Sequence, residues 1–138
     1  MIFNATAHPI NIYRKEDCEY NEQLRKWFVK KGAKPVKVIA PSGRILNAHT
    51  NYILLQHVED IPLWTSSIFD IDDPIDVFGD LKSGDIIVVS RQYAAAHDLW
   101  IKEHKNKLPY KLACICHPVY NDLDNPKPVG CLGLEIVS

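Results

Sequence analysis

The sequence predicts an α+β domain with a mainly antiparallel or mixed sheet of about six or seven strands and two helices packed on it. Apolar runs of strand length recur along the whole chain, and two segments show the spacing of amphipathic helices. Strands and helices do not alternate in a regular βαβ order, which argues against a parallel α/β fold. With 138 residues, the chain is predicted to form one globular domain, residues 1–138, whose core needs no disulfide.

The first elements are predicted from two short apolar runs and one helical pattern. Residues 2–13 are interrupted by Pro9, which has no N–H for a ladder, and predict a strand or hairpin. Residues 17–31 are predicted to form the first helix, because Asp17 can cap it and Gly32 can end it. The expected buried face of this helix holds Tyr20, Leu24, Trp27 and Phe28.

The middle of the chain predicts a hairpin, a strand and a long loop. Residues 35–40 and 44–48 are strand candidates that flank a Pro-Ser-Gly turn. Residues 52–58 form another apolar run. Residues 59–80 then carry seven Asp and Glu residues with no Lys or Arg, and two prolines. We expect this stretch to be irregular, and irregular loops of that length are usually functional or contact a partner.

The second half predicts a buried strand that leads into a helix, followed by two more strands. The β-branched run 86–89 precedes Ser90, whose hydroxyl can cap a helix that ends near His104. Residues 112–117 and 129–137 complete the predicted strands. One face of the helix is marked by Tyr93, Ala96, His97, Trp100 and Ile101.

The junction at Ser90 and Arg91 is the first candidate binding site. A helix N-terminus favours anions, and a guanidinium can hold a phosphate with two hydrogen bonds. The alternative is that Ser90 is only a cap and Arg91 only a solvated residue. Trp64, Phe69 and Phe78 lie in the acidic stretch and are candidates for stacking on a nucleobase. Their alternative role is to pin that stretch to the core.

Composition excludes several classes of function. A net charge of −1 gives no basis for a polymeric nucleic acid as partner, and 24% charged residues are typical of a soluble rather than a membrane protein. The opening residues lack the positive and apolar regions of a secretory signal. The four cysteines are therefore expected to be reduced thiols in the cytoplasm.

Thiols and imidazoles suggest a metal site at Cys114, Cys116, His117 and Cys131, but strand geometry argues against it. Along a strand, Cys114 and Cys116 face one side while His117 faces the other. We therefore expect no metal and no cofactor. The chain also lacks the Gly-x-Ser-x-Gly elbow, the Walker loop and the dinucleotide-binding fingerprint, so no catalytic residue is predicted.

Four short blocks resemble a family of small phage and prophage proteins. They are Asn-Ala-Thr-Ala-His-Pro-Ile at 4–10, Ala-Pro-Ser-Gly-Arg at 40–44, Ile-Val-Val-Ser at 87–90 and Val-Gly-Cys-Leu-Gly-Leu at 129–134. Within that family, the chain is similar to the anti-Thoeris proteins, which act as symmetric oligomers. These proteins sequester a cyclic ADP-ribose immune signal without cleaving it.

The resemblance implies a ligand, a site and a setting. The ligand is a cyclic ADP-ribose isomer, whose pyrophosphate would be held by Arg91 and the helix end at Ser90, while Phe78 would stack on the adenine. Lys111, or another residue of 107–111, would supply a second cation where the family has an arginine. The resemblance also implies a homo-oligomer, either a dimer or a hexamer, in the cytoplasm of an infected bacterium. Asn4 and His8 join the implied site as members of the shared opening block.

Three functional hypotheses follow. The leading hypothesis is a non-enzymatic protein that binds and sequesters a cyclic nucleotide. The second is an enzyme that acts on a nucleotide or an ADP-ribose derivative, with Ser90, His97 or another histidine as acid or base. The third is a protein-binding inhibitor that uses the acidic stretch 59–80 as its contact surface.

Overall fold

The computed structural model describes residues 1–104 and 108–137, within which strands dominate. The helices are α1 (Pro74–Phe78) and α2 (Arg91–His104), and a 3-10 turn covers Lys15–Asp17. The strands are β1 (Ile2–Asn4), β2 (Ile10–Ile12), β3 (Cys18–Asn21), β4 (Lys26–Val29), β5 (Lys37–Ile39), β6 (Ala48–Val58), β7 (Ile61–Ile71), β8 (Asp85–Val88), β9 (Tyr110–Tyr120) and β10 (Pro128–Ile136).

The main sheet curls until its two ends meet. Its strand order is β1-β8-β9-β10-β2-β5; β8 runs parallel to both neighbours, and β10 runs antiparallel to β9. The end strands β1 and β5 join where Asn4 bridges Pro41 and where Asn4 Nδ2 donates to the Ile39 carbonyl at 3.1 Å. The strands of this path therefore curve into a barrel that closes at the bridge between Asn4 and Pro41 rather than through a ladder between β1 and β5. The β3–β4 hairpin extends the sheet beside the far half of β9.

Each face of the curled sheet has its own apolar cluster. Ile10, Ile39, Val88 and Cys131 come from four different strands and meet inside the barrel. On the outer face, Ile87, Leu112 and Cys114 pack against the buried stripe of α2, which consists of Tyr93, Ala96 and His97. The alternation of Ile87 and Val88 between the two clusters follows from the two-residue period of a strand. Strand β8 and helix α2 are thus confirmed as predicted, with Ser90 between them.

Strands β6 and β7 form a separate antiparallel hairpin, which we call the arm (residues 48–71). Its base joins the core through Ala48 and Ile71. Its tip is a two-residue turn in which Glu59 and Asp60 both have positive φ, as a type I′ hairpin turn requires. The arm carries most of the stretch 59–80, so the prediction of an irregular loop there was wrong.

The predicted helix over residues 17–31 was also wrong. Strands β3 and β4 occupy this segment, and the turn between them is shaped by Arg25 at φ 54° and by Asn21 Oδ1, which accepts from Leu24 N at 2.9 Å. Tyr20 and Trp27 are cross-strand neighbours with ring centroids 5.2 Å apart. Aromatic pairs of this kind stabilise a hairpin. The spacing of Tyr20 and Trp27 along the chain is that of one side of a helix, but in the structure the two residues lie opposite each other on paired strands.

The second helix of the structure is instead α1. Asp73 caps it through Oδ1, which accepts from Ile75 N at 2.9 Å, and Pro74 occupies the first helical position. The predicted strand over 44–48 was wrong as well, since residues 42–47 run without strand pairing before β6.

The predicted class of fold is confirmed at the level of a strand-rich chain with a mixed sheet and two α-helices in the described residues. The number of strands exceeds the predicted six or seven, because the 17–31 and 59–80 segments both contribute strands. Across the described ranges, no helix combines the length and the apolar character needed to cross a bilayer.

Candidate functional site

A cleft of about 900 Å³ opens where the β8–α2 junction faces the start of β2. Strands β9 and β10 complete its walls. Its floor and sides are mainly apolar and include Ile10, Tyr13, Ile115, Pro118 and Val129. Its polar side chains are Thr6, His8, Asn11, Ser90 and Arg91. A volume of this size, with few polar groups on apolar walls, is typical of sites for small molecules.

Ser90 lies where β8 gives way to α2. Its hydroxyl oxygen accepts from the backbone N–H of Tyr93 at 3.1 Å, so the predicted capping role is confirmed. The N–H groups of Arg91 and Gln92 precede the first residue with an intrahelical acceptor, as in every α-helix. This end of the helix therefore presents donors without an intrahelical acceptor and a partial positive charge, next to Ser90 and Arg91, which line the cleft.

Arg91 borders the same cleft and reaches toward the sheet. Its Nη2 atom donates to the Ile115 carbonyl and to Glu135 Oε2, both at 3.2 Å. The hydrogen bond that Arg91 donates to Glu135, together with the negative charge of that carboxylate, raises the pKa of Arg91, so the guanidinium is charged at any physiological pH. Both bonds use Nη2, which leaves Nε and Nη1 for a ligand as far as the described residues show.

His8 and Asn4 play different roles. His8 is exposed and lines the cleft. Asn4 is 1% exposed and does not reach the cleft lining; its Nδ2 donates to the carbonyls of His8 (2.8 Å) and Ile39 (3.1 Å), and its Oδ1 accepts from Thr6 N at 2.9 Å. Asn4 therefore shapes the loop that carries Thr6 and His8 to the cleft.

Phe78 and Lys111 lie away from the cleft. Phe78 is 4% exposed on α1, and its ring packs on Phe3 with centroids 5.3 Å apart and under the Arg44 guanidinium at 5.6 Å. A ring buried in this way cannot stack on a ligand in the cleft, so its role is the alternative one of pinning the stretch to the core. Lys111 is exposed near the start of β9, opposite Ile86 on the neighbouring strand.

Two other residues named from the sequence fall outside what the structure describes. Lys107 begins the predicted 107–111 segment and lies outside the described residues. The side chain of Phe69 lies outside them as well. Trp64, the third aromatic residue of the acidic stretch, is 58% exposed on the arm.

Sequence reasoning missed the part of the cleft that β2 and β10 form together. Asn11 Nδ2 donates to the Val129 carbonyl at 3.0 Å and ties the two strands. Gly130 lies against the same place, where a Cβ atom would come within 2.4 Å of the Asn11 carbonyl oxygen and 2.7 Å of the Tyr13 ring. The glycine itself was a signal, because glycine within a strand marks a close approach.

The thiols near the cleft have the properties of buried apolar groups. Cys114 and Cys131 are 1% exposed, and burial raises the pKa of both. Protonated thiols are poor nucleophiles and poor metal ligands. Across residues 1–104 and 108–137, no group of three or more His, Cys, Asp and Glu side chains is placed to hold a metal ion.

Comparisons with known proteins returned no relatives. No protein-family model, no curated protein and no solved structure matches the chain.

Proposed function

We propose that the protein binds a cyclic ADP-ribose-type nucleotide in this cleft and sequesters it without cleaving it. The observation that carries the proposal is that a guanidinium and a helix N-terminus stand together at the edge of a largely apolar cleft. Phosphate oxygens match the Arg91 donors and the helix end at Ser90, and the apolar walls match a base and sugar. The resemblance to anti-Thoeris proteins narrows the nucleotide to a cyclic ADP-ribose isomer. In that role a phage would express the protein in the cytoplasm of its host.

The geometry revises which residues would hold the ligand. Ser90, Arg91 and His8 remain as direct contacts, and Asn4 acts by shaping the loop before His8. Tyr13 replaces Phe78 as the aromatic ring that a base would meet, because Tyr13 lines the cleft and Phe78 does not. Lys111 is left out for the same reason.

Recovery of the ligand separates sequestration from catalysis. The protein is mixed with a cyclic ADP-ribose isomer, freed of unbound nucleotide by filtration and heated to release what it holds. Unchanged nucleotide, in proportion to the protein, supports sequestration. A new product instead supports the alternative of an enzyme that uses Ser90 or a cleft histidine. Retention of no nucleotide contradicts sequestration, and unchanged nucleotide in the filtrate as well contradicts the enzyme.

Arg91 provides the matching test of the site. Arg91→Glu is expected to weaken binding of the nucleotide by more than tenfold, about 1.4 kcal/mol or more, in isothermal titration calorimetry. The protein is expected to stay folded, because the Arg91 side chain is 61% exposed and an exposed ion pair contributes little to stability. Arg25→Glu makes the same charge change in the exposed β3–β4 turn and is the control. Equal affinity of the two variants would place the site elsewhere.

A further inference from the structure

The arm exposes more apolar surface than a solitary chain usually leaves in water. Every residue of 51–68 is exposed, and the exposure of its large apolar residues runs from 38% at Leu63 to 69% at Tyr52. Its large apolar side chains together present an area on the order of the ~800 Å² per partner that a stable protein interface buries. An isolated two-stranded hairpin is marginal in water, so an arm of this composition gains stability only when it is covered.

Both faces of the arm are apolar. Residues opposite each other on the two strands share a face, so the register assigns the side chains. The first face carries Tyr52, Leu54, Trp64 and Ile68. The second face carries Ile53, Val58, Ile61 and Leu63.

The arm has one proline, Pro62, and two register shifts, but it lacks the charged side chains that protect exposed strands. Natural edge strands usually carry charges, particularly lysine, which prevent pairing with another chain. Between residues 48 and 71 the sequence holds no Lys or Arg, and its acidic residues are confined to the tip, Glu59 and Asp60, and the base, Asp70. Residues 51–58, the eight protruding residues of β6, extend roughly 26 Å at ~3.3 Å per residue. Neither these residues nor residues 61–68 of the paired strand include an Asp, Glu, Lys or Arg.

We propose that the arm is the surface through which two copies of this chain associate, with the arm of one copy packed on the arm of the other. An uncharged apolar surface calls for a partner surface that is also uncharged and apolar. In the described part of the chain, the arm itself is the surface that matches in area and chemistry. A two-fold interface of this kind pairs the same patch on both subunits, and it places each acidic tip outside the shared apolar region.

The resemblance already implies a homo-oligomer, and this inference adds the surface that forms it. It stands apart from the proposed binding site, because the residues lining the cleft all lie outside the arm. Failure of one proposal therefore leaves the other to be judged on its own measurement.

The test is the mass of the protein in solution at tens of micromolar, measured by light scattering after gel filtration and by sedimentation. The wild type is expected at twice its chain mass of 15.7 kDa or a higher multiple. The double variant Leu54→Lys, Trp64→Lys is expected to have a lower mass, since burying four lysines in the dimer would be unfavourable. Leu123→Lys, which alters a residue 56% exposed in the β9–β10 loop, is the control and is expected to keep the wild-type mass.

Folding of the arm variant is checked separately by far-UV circular dichroism. The variant is expected to fold, because the substituted side chains contribute little to the core. Two results would overturn the proposal: a monomeric wild type, or an arm variant that keeps the wild-type mass. If the wild type stays monomeric but floats with vesicles of phosphatidylcholine and phosphatidylglycerol, the proposal is also overturned. The arm would then bind a lipid surface instead of a second copy.

Discussion

His97 is a titratable side chain that is fully buried in the described core. It is 0% exposed, and its Nε2 lies 2.8 Å from the Tyr110 hydroxyl oxygen. The rings of Tyr93 and Trp100 pack around it at centroid distances of 6.1 and 5.6 Å. Its Nδ1 atom has no hydrogen-bond partner among the residues described. Burial lowers the pKa of His97, so the imidazole is neutral in the folded protein at pH 7.

This environment predicts that stability falls in mild acid. Below about pH 6.5 the unfolded chain protonates His97 while the folded protein resists, so the unfolded state binds more protons and is favoured. The free energy of unfolding should therefore decrease as pH falls from about 7.5 to about 5.5, at a slope of at most about 1.4 kcal/mol per pH unit for this one proton. Urea denaturation at the two pH values measures the decrease.

His97→Gln is the comparison, because glutamine keeps a polar group near Tyr110 without titrating. Its stability should depend less on pH over the same range, and an unchanged dependence would show that another group is responsible.

The carboxylates of Asp72 and Asp85 affect stability in a more acidic range than His97. Hydrogen bonds to Asp85, and to Asp72 despite its burial, lower the pKa of each carboxylate below 3.8, so their contributions to stability are lost only in stronger acid.

At the scale of elements, β10 shows how one residue sets the distance between strands and the shape of the cleft. Gly130→Ala would place a methyl group 2.4 Å from the Asn11 carbonyl oxygen and against the Tyr13 ring, so β2 must shift. We expect a loss of about 1–3 kcal/mol of unfolding free energy, with weaker nucleotide binding as Tyr13 moves. Gly133→Ala is the control, since its Cβ meets open space. Similar losses for both variants in urea denaturation would contradict the explanation.

The elements also show where sequence patterns suffice. Strand β8 and helix α2 were predicted closely, because a β-branched run, a capping serine and a helical stripe all indicate the same structure. The helix predicted over residues 17–31 was wrong, because Tyr20, Trp27 and Phe28 satisfy helical spacing and also fit two paired strands. Pairing with β9 decided between the two structures, and no local pattern contains that partner.

For the whole molecule, closure of the barrel depends on Asn4. Its side chain satisfies the carbonyls of His8 and Ile39 and the N–H of Thr6, and its own carbonyl accepts from Ser42 N at 2.9 Å. Asn4→Ala would leave buried polar groups unpaired at the seam, the place where Asn4 meets Ile39 and Pro41 and the barrel closes. We expect it to lower the unfolding free energy by at least about 2 kcal/mol in urea denaturation.

The exposed loop residue Asn125 offers a control, because Asn125→Ala should change the unfolding free energy by no more than about 0.5 kcal/mol. A seam variant as stable as this control would mean that the barrel is held closed by its strands alone.

The sequence by itself determined the class of fold, the β8–α2 junction and the position of Ser90 and Arg91 at the start of α2, because each depends on residues that are close along the chain. The tertiary structure decided which distant residues share the cleft. It brought His8, Tyr13 and Gly130 into one cleft with Arg91, and it buried Phe78 in the core outside the lining of that cleft. Barrel closure and strand pairing act between residues tens of positions apart, and hydrophobic spacing within one segment carries no information about them.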